Sequence, residues 1–312
     1  MMANRTADLA RKITRTSSIQ SFFTAQLMVD RDLEDDCFRA YGYFRWVDDM
    51  VDIECQTKAD RLSFIQRQKN LVEICYCGEK LADLTLEEEV LVDLIRNDRG
   101  VSIRLQSYIR NFLAIIEFDA ERKGRLITQS ELDWYASTLG KAVTDGIQYF
   151  VCNSYSYPES EKRYLAATGA HITHMLRDMA EDIQSGYFNI PVETIEIVEN
   201  NFQQFENPVI RKWVKDRVQL ARQYFAEGKQ YLDDLPVLRC RIVGYWYCER
   251  FEFLLDKIVM DAYVLRSRYR KPNIIFSWMK FVGIALEQTW RHAIFHIQNR
   301  SGLCGWSQSQ VD

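Results

Sequence analysis

The sequence predicts an all-α fold, a single domain of helices bundled around a central cavity, on three observations. Chain breakers are scarce: 13 glycines and 5 prolines among 312 residues leave too few turns for many short strands. Apolar residues recur at helical spacing along nearly the whole chain, with short interruptions. Two of the resulting segments carry aspartates at four-residue spacing among apolar neighbours, an arrangement that a bundle can aim at one interior space.

Taken in order, the periodicity predicts helices over Ser17–Met28, Leu33–Ile53, Ala59–Cys75, Thr85–Asn97, Ser102–Ala120, Ser130–Val151, Glu159–Gln184, Val209–Leu232, Val237–Arg268 and Ile274–Ile297. The stops fall at Gly100, Gly124, Tyr157-Pro158, Gly186 to Pro191 and Lys271-Pro272, where glycine or proline ends a helix for steric reasons. No linker divides the chain and no repeat recurs at a fixed period. Residues 1–16 read as an N-terminal extension, 17–300 as the helical domain, and the polar stretch 301–312 as a disordered tail.

Charge and composition narrow the partners. A net charge of -4 supplies no basic surface for nucleic acid. Eight cysteines show no CxxC spacing and the N-terminus has no apolar signal core, so a reducing, cytoplasmic setting is expected. The stretch Ile274 to Trp290 is short and interrupted by Lys280 and Glu287, which argues against a membrane span. Trp278, Met279 and Phe281 leave peripheral membrane contact open, with a core-facing stripe as the simpler reading. The sequence does not set the oligomeric state.

The chemistry lies in the two aspartate segments. Tyr41, Arg45, Asp48 and Asp52 follow at steps of four, three and four; His171, His174, Asp178 and Asp182 follow at three, four and four. Each set shares one helical face. One DxxxD alone is most simply an exposed carboxylate pair with a neighbouring arginine. Two in apolar helices are costly to bury unless cations neutralise them, and magnesium takes a few carboxylate oxygens while leaving positions for substrate phosphates. A diphosphate substrate fits that vacancy.

The run from Tyr41 through Asp48-Asp-Met-Val-Asp52, together with Leu176-Arg-Asp-Met-Ala-Glu-Asp182, resembles the two aspartate-rich motifs of the squalene and phytoene synthases. The resemblance extends to the run around Ser21, the helix from Tyr135 to Thr144 and the stretch ending at Arg268, covering roughly residues 17 to 270. It implies an isoprenoid-synthase-type bundle and head-to-head joining of two prenyl diphosphates, C15 or C20. It also implies Mg2+, or Mn2+ in its place, at Asp48, Asp52, Asp178 and Asp182, and diphosphate contacts from Ser21, Tyr41, Arg45, Arg177 and Arg268. Phe22, Tyr41, Phe44 and Phe251 offer ring faces to a carbocation, though each is individually more often core. The squalene branch reduces its intermediate with NADPH; no glycine-rich dinucleotide fingerprint is present, and that branch does not rely on one, so NADPH stays open.

This chain departs from the pattern. His171 and His174 stand where the family usually carries Gln and Asn, and the Gly-Arg after the second motif is Gly186-Tyr187. An often basic position near the N-terminal serine is Gln20, and Phe251 replaces an expected tyrosine. Histidine can ligate a metal, donate to phosphate or take a proton; equally, the pair can stand in for the amides as hydrogen-bonding groups. Fewer phosphate donors leave open transfer of one prenyl group to another acceptor; beside it stand a catalytically silent helical scaffold and, from the histidine pairs His171/His174 and His292/His296, a transition-metal site.

Overall fold

The computed structural model describes residues 2–79, 82–98, 102–151, 153–198, 204–269 and 274–304, with side chains undescribed at 2–4, 20–21, 274–277 and 295–304. Local sequence starts its helices cleanly. Thr57, Thr85 and Thr128 each close a reciprocal capping box, with Asp60, Glu88 and Glu131 respectively. Ser102 accepts from the Leu105 N–H, and Asn207 caps a helix with Pro208 in its first turn. Among the described residues twelve α-helices result and no strand: α1 (Met2–Ser17), α2 (Ile19–Met28), α3 (Glu34–Asp49), α4 (Lys58–Cys77), α5 (Leu86–Asn97), α6 (Ile103–Arg122), α7 (Gln129–Phe150), α8 (Leu165–Gln184), α9 (Val192–Ile195), α10 (Pro208–Asp233), α11 (Leu238–Met260) and α12 (Ile274–Cys304).

Two large apolar cores organise the helices. The first joins α3, α4, α5 and α6 through Phe38, Tyr43, Val47, Ile65, Leu94 and Ile109, all buried. The second joins α8, α10 and α11 through Ile172, Leu176, Val214, Phe225, Leu255 and Ile258. Helices α6 and α7 lie against each other between them, and α7 also packs on α8. Each aspartate helix therefore buries its apolar side in a different core and turns its carboxylates toward the space between.

Several elements differ from the sequence expectation. Residues 2–17, expected to precede the helical domain, form α1, packed on α3 and α5. Its buried positions are Thr6, Ala7, Ala10 and Thr14, which follow helical spacing but offer little apolar contrast. Thr6 donates to Asp93 and accepts from Arg39, fixing α1 across both helices. The helix expected to reach Arg268 ends at Met260, where Ala262 and Tyr263 take positive φ. On α12, Phe281 meets Trp246 at 5.2 Å, whereas Trp278 and Met279 are 55% and 68% exposed, so the core-facing reading holds for Phe281 alone. Among the described residues no helix is long and apolar enough to cross a membrane. The C-terminal stretch was expected to be disordered; α12 runs to Cys304, and 305–312 lie outside the described residues.

The α8–α10 contact permits no side chain at Gly228. A Cβ there would stand 2.7 Å from both the backbone nitrogen and the Cβ of Ala166. Gly228→Ala is expected to cost about 1–3 kcal/mol through overpacking, read as a lower denaturation midpoint at unchanged slope. Gly283→Ala on α12, with nothing within 4 Å, is the control and should be neutral or slightly stabilising.

Candidate active site

The first aspartate helix does not continue as a regular α-helix through its motif. α3 ends at Asp49, and Met50–Glu54 form one π turn closed by the Cys55 N–H donating to the Met50 carbonyl. Such insertions change the direction of the side chains that follow and recur at functional sites. Asp52 lies inside the turn. Its Oδ1 accepts from the Tyr187 hydroxyl at 2.6 Å, and the Lys123 ammonium is 3.9 Å away. Asp48 pairs with Arg45 at 3.2 Å, while the same guanidinium makes two hydrogen bonds to Asp49.

On α8, Arg177 holds Asp178 with two hydrogen bonds of 2.6 Å, and Asp182 accepts from the Asn189 amide at 2.8 Å. The placement of Asn189 and Tyr187 depends on a clasp between two helix ends. Gly124 and Gly186 both take positive φ, 81° and 86°, and the Gly124 N–H donates to the Gly186 carbonyl at 2.8 Å. Glycine reaches that conformation without Cβ strain, so α6 and α8 terminate side by side.

All four motif aspartates line one cavity of about 340 Å³, together with Asp119, Arg122, Tyr135, His171, His174, Tyr187 and Asn189. Its floor is a network that sequence reasoning did not find. Buried Arg122 donates to Asp119 at 2.7 Å and to Asn189 at 2.9 Å, Tyr135 donates to Asp119 at 2.7 Å, and Arg122 lies 5.2 Å from the centre of the Tyr187 ring. The available signal was Asp119 and Arg122 at i, i+3 on α6, which the expected helix end at Ala120 cut apart. The guanidinium missing at position 187 has a counterpart here: a fixed positive charge reaches the cavity from α6.

The other expected residues divide. His171 and His174 both line the cavity, and Arg45 and Arg177 reach it through their aspartates. Phe251 stands behind His174, ring centres 5.6 Å apart. Phe22 packs on Phe38 at 5.1 Å in the first core and is not a lining residue. Phe44 is likewise buried there. Tyr41 is half-buried one turn before Arg45 and outside the lining, and exposed Arg268 follows α11 outside it too. Ser21 lies on α2 with its side chain outside the described residues. His292 belongs to α12 and is not a lining residue, and His296 follows on the same helix with its side chain outside the described residues.

The electrostatics show what the cavity lacks. Asp48 and Asp182 are half-buried and open on the cavity, with protein packed around their carboxyls. Burial, then the neighbouring Asp52, push the Asp48 carboxyl up to about 6; burial, then Asp178, push Asp182 up to about 7. Arg45 and Arg122 only partly offset this. Asp119 is also raised, by burial, against the pull of Arg122. Hard oxygen ligands short of positive charge fit a magnesium-type cation. Among the described residues no three acidic, imidazole or thiol groups converge as a complete ligand set. Each aspartate pair thus offers two protein ligands at most, and further positions would fall to phosphate and water, as magnesium commonly requires.

A carboxyl raised from 3.8 to about 7 favours the folded state least once it is ionised, so stability is lost as pH rises through that range. In chelator at pH 8, Asp182→Asn should therefore melt above the parent, by on the order of 2 °C. At pH 6, where the parent carboxyl is mostly protonated, the difference should shrink. Equal melting temperatures at both pH values would show that Asp182 carries no such strain.

The sequence profile of the squalene/phytoene synthase family matches residues 15–274. No curated protein matches significantly. Among solved structures, the squalene synthase HpnC from Alicyclobacillus acidocaldarius superposes with a TM-score of 0.66 at 18% identity, covering 85% of this chain and 100% of its own. A dehydrosqualene synthase solved with a ligand gives 0.69 at 13%, covering 92% and 96%. The TcSQS complex with ligand BPH1237 gives 0.62 at 14%, covering 98% and 94%. At these identities the superpositions establish the fold, the all-α isoprenoid-synthase bundle. The profile match, over most of the chain, establishes more: this protein belongs to the squalene/phytoene synthase family.

Proposed function

We propose that the protein joins two prenyl diphosphates, C15 or C20, head to head, beginning with ionisation of one of them in the cavity between α3 and α8. The observation that carries this reading is the convergence of Asp48, Asp52, Asp178 and Asp182 on one cavity with a buried arginine in its floor. A carboxylate-lined cavity repels a bare diphosphate, so it becomes a diphosphate site only with cations between the two. Mg2+, or Mn2+ in its place, held by Asp48/Asp52 and by Asp178/Asp182, would neutralise the diphosphate and stabilise the charge it gains as its C–O bond breaks.

The protein's own groups then have distinct tasks. Tyr187 fixes the Asp52 carboxylate and Asn189 fixes Asp182, so ligand oxygens are oriented before substrate arrives. Arg122, itself held by Asp119 and Asn189, contributes a fixed positive charge that needs no reorganisation as the leaving group separates. Val51, Met175 and Tyr135 form the less polar part of the wall and limit the access of water to the allylic cation. The cavity is the charged end of the site.

Purified protein with Mg2+ and either C15 or C20 diphosphate should release inorganic diphosphate and a product with twice the carbon number, identified by mass. Asp48→Asn and Asp178→Asn should each lower turnover on the order of a hundredfold or more while helical content is retained. A product carrying a single prenyl group would overturn the head-to-head reading. Undiminished turnover in both variants would remove the carboxylates from the mechanism.

A further inference from the structure

The ionisation chemistry leaves Arg250 unused. It stands on α11 directly before Phe251, whose ring meets that of His174 at 5.6 Å, so it lies on the α11 side of the cavity and outside the lining. Its guanidinium is 5.9 Å from the ring centres of both Trp246 and Phe251. Aromatic faces hold a cation in place without neutralising it. Among the described residues no carboxylate pairs with Arg250, and the glutamates beside it in the chain, Glu249 and Glu252, are taken by Lys280 and Lys229.

The surroundings of Arg250 add positive charge. Solvent reaches the residue, yet protein packs closely around the guanidinium, which describes a cleft and not an open surface. Burial above all lowers its pKa from the usual value; Tyr247 raises it, and the repulsion of Arg177 across from α8 lowers it again. Arg177 gives Nε and one terminal nitrogen to Asp178, which leaves its other terminal nitrogen to meet a second partner. His174, exposed on the cavity wall and within electrostatic reach of both arginines, has an N–H to donate in either protonation state. Two guanidiniums and an imidazole thus meet at one cleft, where the carboxylate nearest to them, Asp178, is already engaged.

We propose that Arg250, together with His174 and Arg177, holds the diphosphate of the second prenyl substrate by direct charge-assisted hydrogen bonds, with no metal ion between them. The inference rests on the head-to-head reading, in which two diphosphates are accommodated at once. The aspartates accept one of them only through cations, whereas a cleft of donors accepts the other directly. The assignment also bears on two departures in the sequence. Phe251 has no hydroxyl and Tyr187 no guanidinium, and Arg250 returns a phosphate donor to the same turn of α11, one residue before Phe251. The rings of Trp246 and Phe251 set its guanidinium beforehand, so little side-chain freedom is lost on binding.

The first test titrates inorganic diphosphate calorimetrically into the protein in excess chelator. The parent should bind it, and Arg250→Gln, checked by its melting curve, should bind about tenfold more weakly or worse. Arg222→Gln, which removes an exposed arginine paired with Asp256, should leave the affinity unchanged. The second test is product analysis with Mg2+ and C15 or C20 diphosphate. Arg250→Gln should still release diphosphate from the substrate over the aspartates, but with no partner held beside it more of the cation is captured by water. Its ratio of prenyl alcohol to coupled product should rise about tenfold. No metal-free binding by the parent, an equal loss in Arg222→Gln, or an unchanged product ratio in Arg250→Gln overturns the assignment and leaves head-to-head joining standing. Absence of any coupled product in the parent overturns the head-to-head reading and, with it, the role given to Arg250, whatever the diphosphate titration shows.

Discussion

The structure depends on the mutual repulsion of carboxylates around one cavity. Asp48, Asp52, Asp119, Asp178 and Asp182 all face it, and the protein supplies only part of the compensating charge through Arg45, Arg122, Lys123 and Arg177. The elevated carboxyls of Asp48 and Asp182 are the measure of what is left over. Two independent apolar cores hold the aspartate helices in place against that repulsion, one under α3 and one under α8. The Gly124–Gly186 clasp fixes how closely the ends of α6 and α8 approach. On the proposed function, stability given up to that repulsion would become affinity for a cation and a diphosphate.

What was legible in the sequence was local. Asp48, Asp178, Asp182, His171 and His174 could be assigned to helical faces because side chains three and four residues apart share a face whatever the tertiary context. Both histidines and all four aspartates reach the cavity. The π turn at Met50–Glu54 was not legible, since apolar periodicity does not register one extra residue in a single turn. Nor was α1, whose buried positions are alanines and threonines with little contrast to their neighbours. The hydrogen bonds between Asp119, Tyr135, Arg122 and Asn189 join residues up to 67 apart in the chain, and no periodicity reports a contact of that range. Phe22 and Arg268 were placed by resemblance alone; they lie in the first core and in the exposed segment after α11.

The substitutions within the motifs make sense as a set. Tyr187 carries no charge, but its hydroxyl orients Asp52 and its ring lies against Arg122, which brings a guanidinium to the floor of the cavity from another helix. Phe251, in place of the expected tyrosine, presents an apolar edge to His174. Arg122, buried and held by Asp119 and Asn189, is a positive charge in a fixed position, which costs no reorganisation as negative charge develops nearby.

The central claim is that the two aspartate helices form one cation site completed by diphosphate, and calorimetric titration of Mn2+ tests it most directly. In the presence of inorganic diphosphate, Mn2+ should bind the protein markedly more tightly than in its absence, because phosphate oxygens supply the coordination positions that each aspartate pair leaves open. The combined Asp48→Asn, Asp178→Asn variant should lose this synergy. Equal Mn2+ affinity with and without diphosphate, or synergy undiminished in that variant, would contradict the account.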